Sequence, residues 1–213
     1  MRKSLLFLPF LLLLVGAFIS CEEVEEAGKY DNWRERNEAF ADSIKRLTGE
    51  NIVSTAEGAD AMELGKLYAI QTTASTTEGN QYIYCKKLVK NETGERPLYT
   101  GYHSTVSAFY YGTLITGDEF WGNFDGYSAL EQRFTESKEP TAFDSPNSYL
   151  VYGNQSPLLP LGWTAALQLM RVGERWVIYM PYQSGYGSSD YSLFLTIPAY
   201  STLTYDLILR GIE

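Results

Sequence analysis

From Leu203 onward the chain alternates with a period of two: Leu203, Tyr205, Leu207 and Leu209 share one parity, and Thr204 and Asp206 take the other. Side chains of a strand point to opposite faces in turn, so this alternation predicts a two-faced strand over Thr202 to Leu209. Three further runs, rich in aromatic and β-branched residues, predict strands: Tyr82 to Val89, ended by Asn91 and Gly94; Val106 to Ile115, closed by Thr116 and Gly117; and Trp176 to Met180, stopped by Pro181. Trp163, Leu167 and Met170 recur at near-helical spacing and predict a short helix over Thr164 to Arg171. Upstream, Trp33, Phe40, Ile44 and Leu47 fall near one face of an amphipathic helix, with Arg34, Glu35, Glu38 and Asp42 on the others. Asp31 is its expected N-cap and Gly49 its expected stop. Together these elements predict an α+β fold, a mostly antiparallel sheet with one short helix on its concave face and an N-terminal helical extension. Residues 51 to 80, poor in punctuating hydrophobics and rich in Thr, Ala, Ser and Glu, are expected to dock loosely. The N-terminal helix either packs back on the domain or dimerises. No internal repeat is present.

The first residues read differently. Arg2 and Lys3 precede an apolar run from Leu5 to Ile19, interrupted by Pro9 and Gly16, and small Ser20 stands before Cys21. That order is a secretory signal, and the run is too short to make a comfortable spanning helix. The sequence Phe18-Ile19-Ser20-Cys21 resembles the cleavage site of bacterial lipoproteins, with Phe18 where Leu is typical. The resemblance implies loss of residues 1 to 20 and acylation of Cys21, which holds the chain on a membrane. The alternative is an ordinary cleaved signal with Cys21 free or in a disulfide. Cys85, inside an apolar run, reads as a small buried hydrophobe and a poor partner for it. The expected organisation is therefore a lipoprotein signal peptide over 1–20, a lipid-anchored linker with an amphipathic helix over 21–80, and a folded domain over 81–213.

Charge narrows the partners. The chain carries a formal net charge of −9, and removing the leader takes away two positive charges and no negative one. Such a surface repels nucleic acid and anionic headgroups, so membrane attachment is expected to depend on the lipid. The run Glu22-Glu23-Val24-Glu25-Glu26 resembles acidic export signals that follow the acylated Cys in some Gram-negative lipoproteins; otherwise it is a solvated acidic leader. The expected location is the bacterial cell envelope, as an outer-membrane lipoprotein. His103 is the single histidine, so a Cys/His zinc site or a histidine-based triad has no second partner. No glycine-rich phosphate loop is present either, and neither a metal nor a cofactor is expected.

The ordered series from Gly162-Trp163 through Gly185-Tyr186-Gly187 and Ile197-Pro198 to Ser201-Thr202-Leu203-Thr204-Tyr205-Asp206 resembles the FKBP-type (macrolide-binding) peptidyl-prolyl cis/trans isomerases. The resemblance covers about residues 81 to 213. It implies an FKBP-like sheet wrapped around one short helix, with Trp163 as pocket floor and Tyr186 donating a hydrogen bond to a ligand carbonyl. It also implies a pocket wall of Tyr110, Phe120, Leu159, Ile197 and Tyr205, the last being more often Phe in the family. Implied partners are proline-containing peptides or proteins and a macrolide ligand.

Departures gather at the rim. The family usually follows the pocket Phe with Asp, whereas Phe120 here is followed by Trp121. The stretch from Phe120 to Gly162 is longer than the compact family pattern and carries Ser128 to Ser137 and an extra segment, Tyr149 to Gly153, while Phe143 resembles a strand phenylalanine of the family. The chemistry such a cup performs needs no nucleophile. Rotating an amide costs about 18 to 20 kcal/mol because resonance gives the C–N bond double-bond character, and prolyl imides isomerise only slowly. The twisted transition state has less charge separation than the planar ground state, so an apolar aromatic cup favours it. The expected function is a prolyl isomerase assisting folding of envelope proteins, with activity weakened by Trp121 in place of Asp. The alternative is a non-catalytic module binding a peptide, glycan or protein on the same scaffold.

Overall fold

The computed structural model describes residues 28–76, 79–97, 105–131, 133–151, 159–192 and 197–213. Asn32–Glu213 makes one compact unit; of a second unit, Met1–Asp31, a turn is described in which Asp31 N donates to Gly28 O at 3.0 Å. Cys21, His103 and the leader lie outside the described residues. Among those described, no helix is long and apolar enough to cross a membrane.

In chain order the elements are α1 (Trp33–Thr48), β1 (Ile52–Val53), α2 (Ala56–Asp60), β2 (Leu67–Thr76), β3 (Gly79–Val89), β4 (Thr105–Thr113), β5 (Glu119–Gly122), β6 (Asn147–Leu150), α3 (Leu161–Leu167), β7 (Arg175–Met180) and β8 (Leu203–Ile212). One sheet runs β1-β2-β3-β7-β8-β4-β5, with β6 added against β4. Every described pairing between these strands is antiparallel except β1 with β2. The α+β architecture expected from the alternation is the one observed.

Each strand presents two parities, and both are buried in the middle of the sheet. Leu203, Tyr205, Leu207 and Leu209 join Trp176, Ile178, Met180, Ile83, Cys85, Ala108 and Tyr110 on the face covered by α3. The other face gathers Leu67, Ala69, Tyr84, Val177 and Tyr179 under Ile44 and Phe40 of α1 and under Tyr127 and Phe134 of the β5–β6 connection. Gly162 sets how closely α3 can approach: a Cβ there would lie 2.5 Å from Ile83 and 2.8 Å from Met180. Cys85 is fully buried and free, and burial pushes its thiol up.

Three expectations meet corrections here. Residues 67–76 are a full sheet strand, with Leu67, Ala69 and Ile70 buried, because β-branched threonines suit a pleated surface even without obvious apolar punctuation. Asp31 does not cap α1; its carboxylate accepts from Gly28 N at 2.6 Å, and Asn32 stands at the N-cap with φ 49°. Gly49, by contrast, stops the helix with φ 60° and donates to Lys45 O. The buried stripe of α1 is Trp33, Asn37, Ile44 and Thr48, while Leu47 is 73% exposed.

Asn37 explains that shift. Its side chain donates to Trp33 O at 2.7 Å and accepts from Thr202 N at 2.7 Å, while Thr202 Oγ1 donates to Asn37 O at 3.2 Å. Trp33 Nε1 donates to Ser201 Oγ at 3.0 Å, and Ser201 Oγ to Pro198 O at 2.6 Å. The first turns of α1 are thus fastened to the segment that leads into β8, and the helix packs back on the domain.

Candidate functional site

Trp163 enters from the first turn of α3, where the extended backbone of Pro160 (ψ 152°) ends the preceding chain and lets the helix begin. Its indole is fully buried and surrounded by tyrosines. Ring centroids lie 4.8 Å away at Tyr149, 5.4 Å at Tyr110 and 5.8 Å at Tyr205, the first two edge-on. Phe120 meets Tyr205 at 5.4 Å, across a floor opened by Gly112, whose Cβ would stand 2.8 Å from both rings. A side chain at position 112 would push these two rings apart.

Tyr110 is held at its backbone by an asparagine acting as a surrogate strand. Asn123 Oδ1 accepts from Tyr110 N at 2.8 Å and Asn123 N donates to Tyr110 O at 3.0 Å, while its Nδ2 donates to Ala108 O and Ser145 O. The phenol of Tyr110 accepts from Asn147 Nδ2 at 3.3 Å, which is also 3.3 Å from the phenol of Tyr149.

Tyr186 comes from the turn after β7. Gly187, at φ 85°, donates to Tyr182 O, and Gly162 N donates to Ser184 O at 3.0 Å, so this turn is tied to the start of α3. The Tyr186 ring stacks on Tyr191 at 4.2 Å. Burial pushes its phenol up to about 12, with the neighbouring Tyr205 opposing. Ile197, 1% exposed, exchanges two backbone hydrogen bonds with Tyr191, and Leu159 packs half-buried against the same core.

Five of the sequence-derived positions, Tyr110, Phe120, Trp163, Ile197 and Tyr205, therefore meet in one buried cluster, with Leu159 and Tyr186 packed against it. Cys21 lies outside the described residues. Sequence reasoning missed Tyr149 and Asn147. The segment read as extra is strand β6, paired with β4 through Val106↔Tyr149 and Ala108↔Asn147. Phe143, read as the strand residue, is 98% exposed in a turn. The alternation Asn147-Ser148-Tyr149-Leu150, with a tyrosine at the parity facing Trp163, was the available signal. Trp121 pairs with Gly112 and lays its ring against Tyr110 at 5.0 Å and Tyr149 at 6.4 Å, on the flank of the cluster. Asp125, the first carboxylate after Phe120 in the chain, is exposed and faces Lys138 at 3.7 Å.

Two donors inside the cluster stand out electrostatically. Trp163 Nε1 is buried without a hydrogen-bond partner among the described residues, and the equally buried Tyr205 hydroxyl has the Tyr186 phenol beside it. Burial raises the Tyr205 phenol far above the usual tyrosine range, and the phenols of Tyr186, Tyr110 and Tyr149 raise it further. A separate cleft of about 340 Å³ between α1 and β3 is lined by Arg34, Glu38, Asp42, Lys45 and Tyr82 and shares none of these aromatics. Among the described residues no group of acidic, histidine or cysteine side chains is placed to hold a metal.

A twisted antiparallel sheet with a short helix across one face, carrying a buried Trp ringed by tyrosines, defines an immunophilin-like fold. The profile of the FKBP-type peptidyl-prolyl cis-trans isomerases matches residues 101–210, and the chain belongs to that family. It is 31% identical over 139 residues to the FKBP-type peptidyl-prolyl cis-trans isomerase FkpA of Aeromonas hydrophila, an alignment covering 65% of this chain and 40% of that protein. It is 46% identical over 52 residues to the macrophage infectivity potentiator of Trypanosoma cruzi, covering 24% of this chain and 26% of that one. The matched stretches thus span less than half of these relatives. The crystal structure of FkpA from Escherichia coli shares the fold, with a TM-score of 0.50 at 18% identity over 99% of this chain and 73% of that one.

Proposed function

We propose that the chain catalyses cis/trans isomerisation of Xaa-Pro bonds in proteins of the bacterial envelope, where acylated Cys21 tethers it to the outer membrane and its clients are exported chains still folding. The observation that carries the reading is the convergence of Tyr110 and Tyr205 on the buried ring of Trp163, with Phe120 against Tyr205 and Tyr186 beside them. A prolyl ring accepted there leaves water for an aromatic enclosure, which favours the less polar twisted imide. Tyr186 supplies an oriented donor for a substrate carbonyl.

A second reading has its own observation in support. Trp163 is fully buried and Trp121 and Tyr149 pack over Tyr110, so a prolyl ring reaches the indole only by displacing what covers it. On that reading the domain binds peptide without turning it over.

Exchange spectroscopy on an Xaa-Pro peptide with the detergent-solubilised full chain separates the two. Acceleration in the wild type, reduced at least tenfold in Tyr186→Phe and lost in Trp163→Ala, is the expected result. Binding without acceleration would establish the second reading.

A further inference from the structure

Among the described residues two that are not glycine stand at positive φ, Asn32 at 49° and Tyr200 at 62°. Asparagine tolerates that left-handed region, whereas a bulky tyrosine enters it only when its surroundings hold it there. Both positions lie at one junction. Asn32 leads into α1, and Tyr200 lies between Ile197-Pro198 and β8, next to Ser201 and Thr202, which are hydrogen-bonded to Trp33 and Asn37 of α1. A residue needed only to turn this corner would be glycine, which adopts such a φ freely. The tyrosine ring is what the position keeps.

What holds that ring also reaches the site. On one side the Arg34 guanidinium of α1 lies over the Tyr200 ring at 4.4 Å, and Arg34 is itself paired with Glu38 at 2.8 Å. On the other, the ring meets Tyr182 edge-on at 5.0 Å, and Tyr200 N donates to Gly187 O at 3.1 Å. Tyr182 and Gly187 are the two ends of the turn that carries Tyr186, and Gly187 N closes it on Tyr182 O at 2.9 Å. Tyr200 thus grips both ends of that turn while Arg34 grips Tyr200.

We propose that Tyr200, held by Arg34, is a positioning residue of the isomerase site: it fixes the turn over 182–187, and through it the Tyr186 phenol, so that α1 braces the site. This rests on the isomerase-site reading above and gives the N-terminal helix a task in it. Both residues act through Tyr186 and not on the substrate. What they contribute is the orientation of a donor, and a misplacement of about 1 Å in such a group can cost as much as about a hundredfold in rate.

A double-mutant cycle separates positioning from mere support. Exchange spectroscopy on a blocked Ala-Ala-Pro-Phe peptide, with the detergent-solubilised full chain, compares Tyr200→Gly, Tyr200→Phe and Arg34→Ala, each alone and together with Tyr186→Phe. The expected loss in kcat/KM is about 5- to 10-fold for Tyr200→Gly and about 2- to 5-fold for Arg34→Ala, the worth of an exposed cation–π contact. Tyr200→Phe keeps the ring and is expected to stay near wild type. Beside Tyr186→Phe these losses are expected to vanish. Tyr200→Gly is expected to melt within about 2–4 °C of wild type, because relief of the left-handed strain offsets the lost ring contacts. Full activity in Tyr200→Gly, or a loss that persists undiminished beside Tyr186→Phe, overturns this inference and leaves the isomerase reading standing. Should Tyr200→Gly melt far below wild type, the Arg34→Ala cycle decides by the same criterion. A wild type that does not accelerate the peptide overturns both.

Discussion

Tyr205 and Asp206 are neighbours in one strand, face opposite sides of one sheet, and are equally buried, yet the fold treats them in opposite ways. Asp206 is saturated: Arg175 donates to both carboxylate oxygens at 2.9 and 2.6 Å, and Tyr127 N donates at 2.8 Å. Arg175 in turn reaches Glu139 at 3.1 Å and lies over the Tyr127 ring at 4.5 Å, so the pair pins the long β5–β6 connection across the sheet. Lys87 follows the same rule, with Glu174 at 2.6 Å and Ala59 O at 2.8 Å. Where a buried polar group serves the fold, its partners are complete; around Trp163 they are not. Thr204 Oγ1 also lacks a partner among the described residues, and nothing in the structure explains it.

The largest break in that contrast comes from the saturated side. Arg175→Met strands a buried carboxylate and is expected to cost about 3–5 kcal/mol in denaturant unfolding, whereas replacing Arg175 and Asp206 together by apolar residues of similar volume should restore most of it. Asn37→Ala removes the acceptor of Thr202 N and should cost about 1–3 kcal/mol, read by the same unfolding curves. It tests whether the clasp between α1 and the approach to β8 obeys the rule of the paired side.

The smallest effect near neutrality is a pH limit. Burial pushes Tyr179 on one face and Tyr186 on the other up to about 12. A raised folded pKa means the neutral form is favoured by folding, so this contribution is fully present below the unfolded value of about 10 and is lost as pH rises towards 12. Stability should be insensitive to these groups at pH 9. Above pH 10 it should fall by up to about 1.4 kcal/mol per pH unit for each such tyrosine, with tyrosinate absorbance lagging that of an unfolded control.

How much of this was legible in the sequence varied by element. The alternation of β8 gave its two faces correctly because both are buried and the register is pinned by β7 and β4. Gly162-Trp163 and Gly185-Tyr186-Gly187 could be located by the family resemblance; the close approach of Ile83 and Met180 requires the first glycine, and a φ of 85° favours the last. Strand β6 escaped because four residues carry too short a period, and its register is imposed by β4. The exposed Phe143 drew attention that belonged to Tyr149. Strand β2 escaped because threonines hide a strand in a polar composition. Asn37, Asn123 and Asn147 could not be read at all, since their partners are backbone groups or phenols brought near only by the fold.

The position of β8 has a consequence for how the molecule comes together. It follows every other strand in sequence but stands between β7 and β4, and it is the only described strand joining the β1-β2-β3-β7 half of the sheet to the β4-β5-β6 half. Pairings between β4 and β8 span about a hundred residues of chain, as in Val106↔Ile212 and Thr113↔Thr204, and contacts of such range are slow to form. Backbone hydrogen bonds between the two halves of the sheet thus pass through β8. Because that strand brings Tyr205 between Phe120 and Trp163, the site is complete only where β8 has joined both halves.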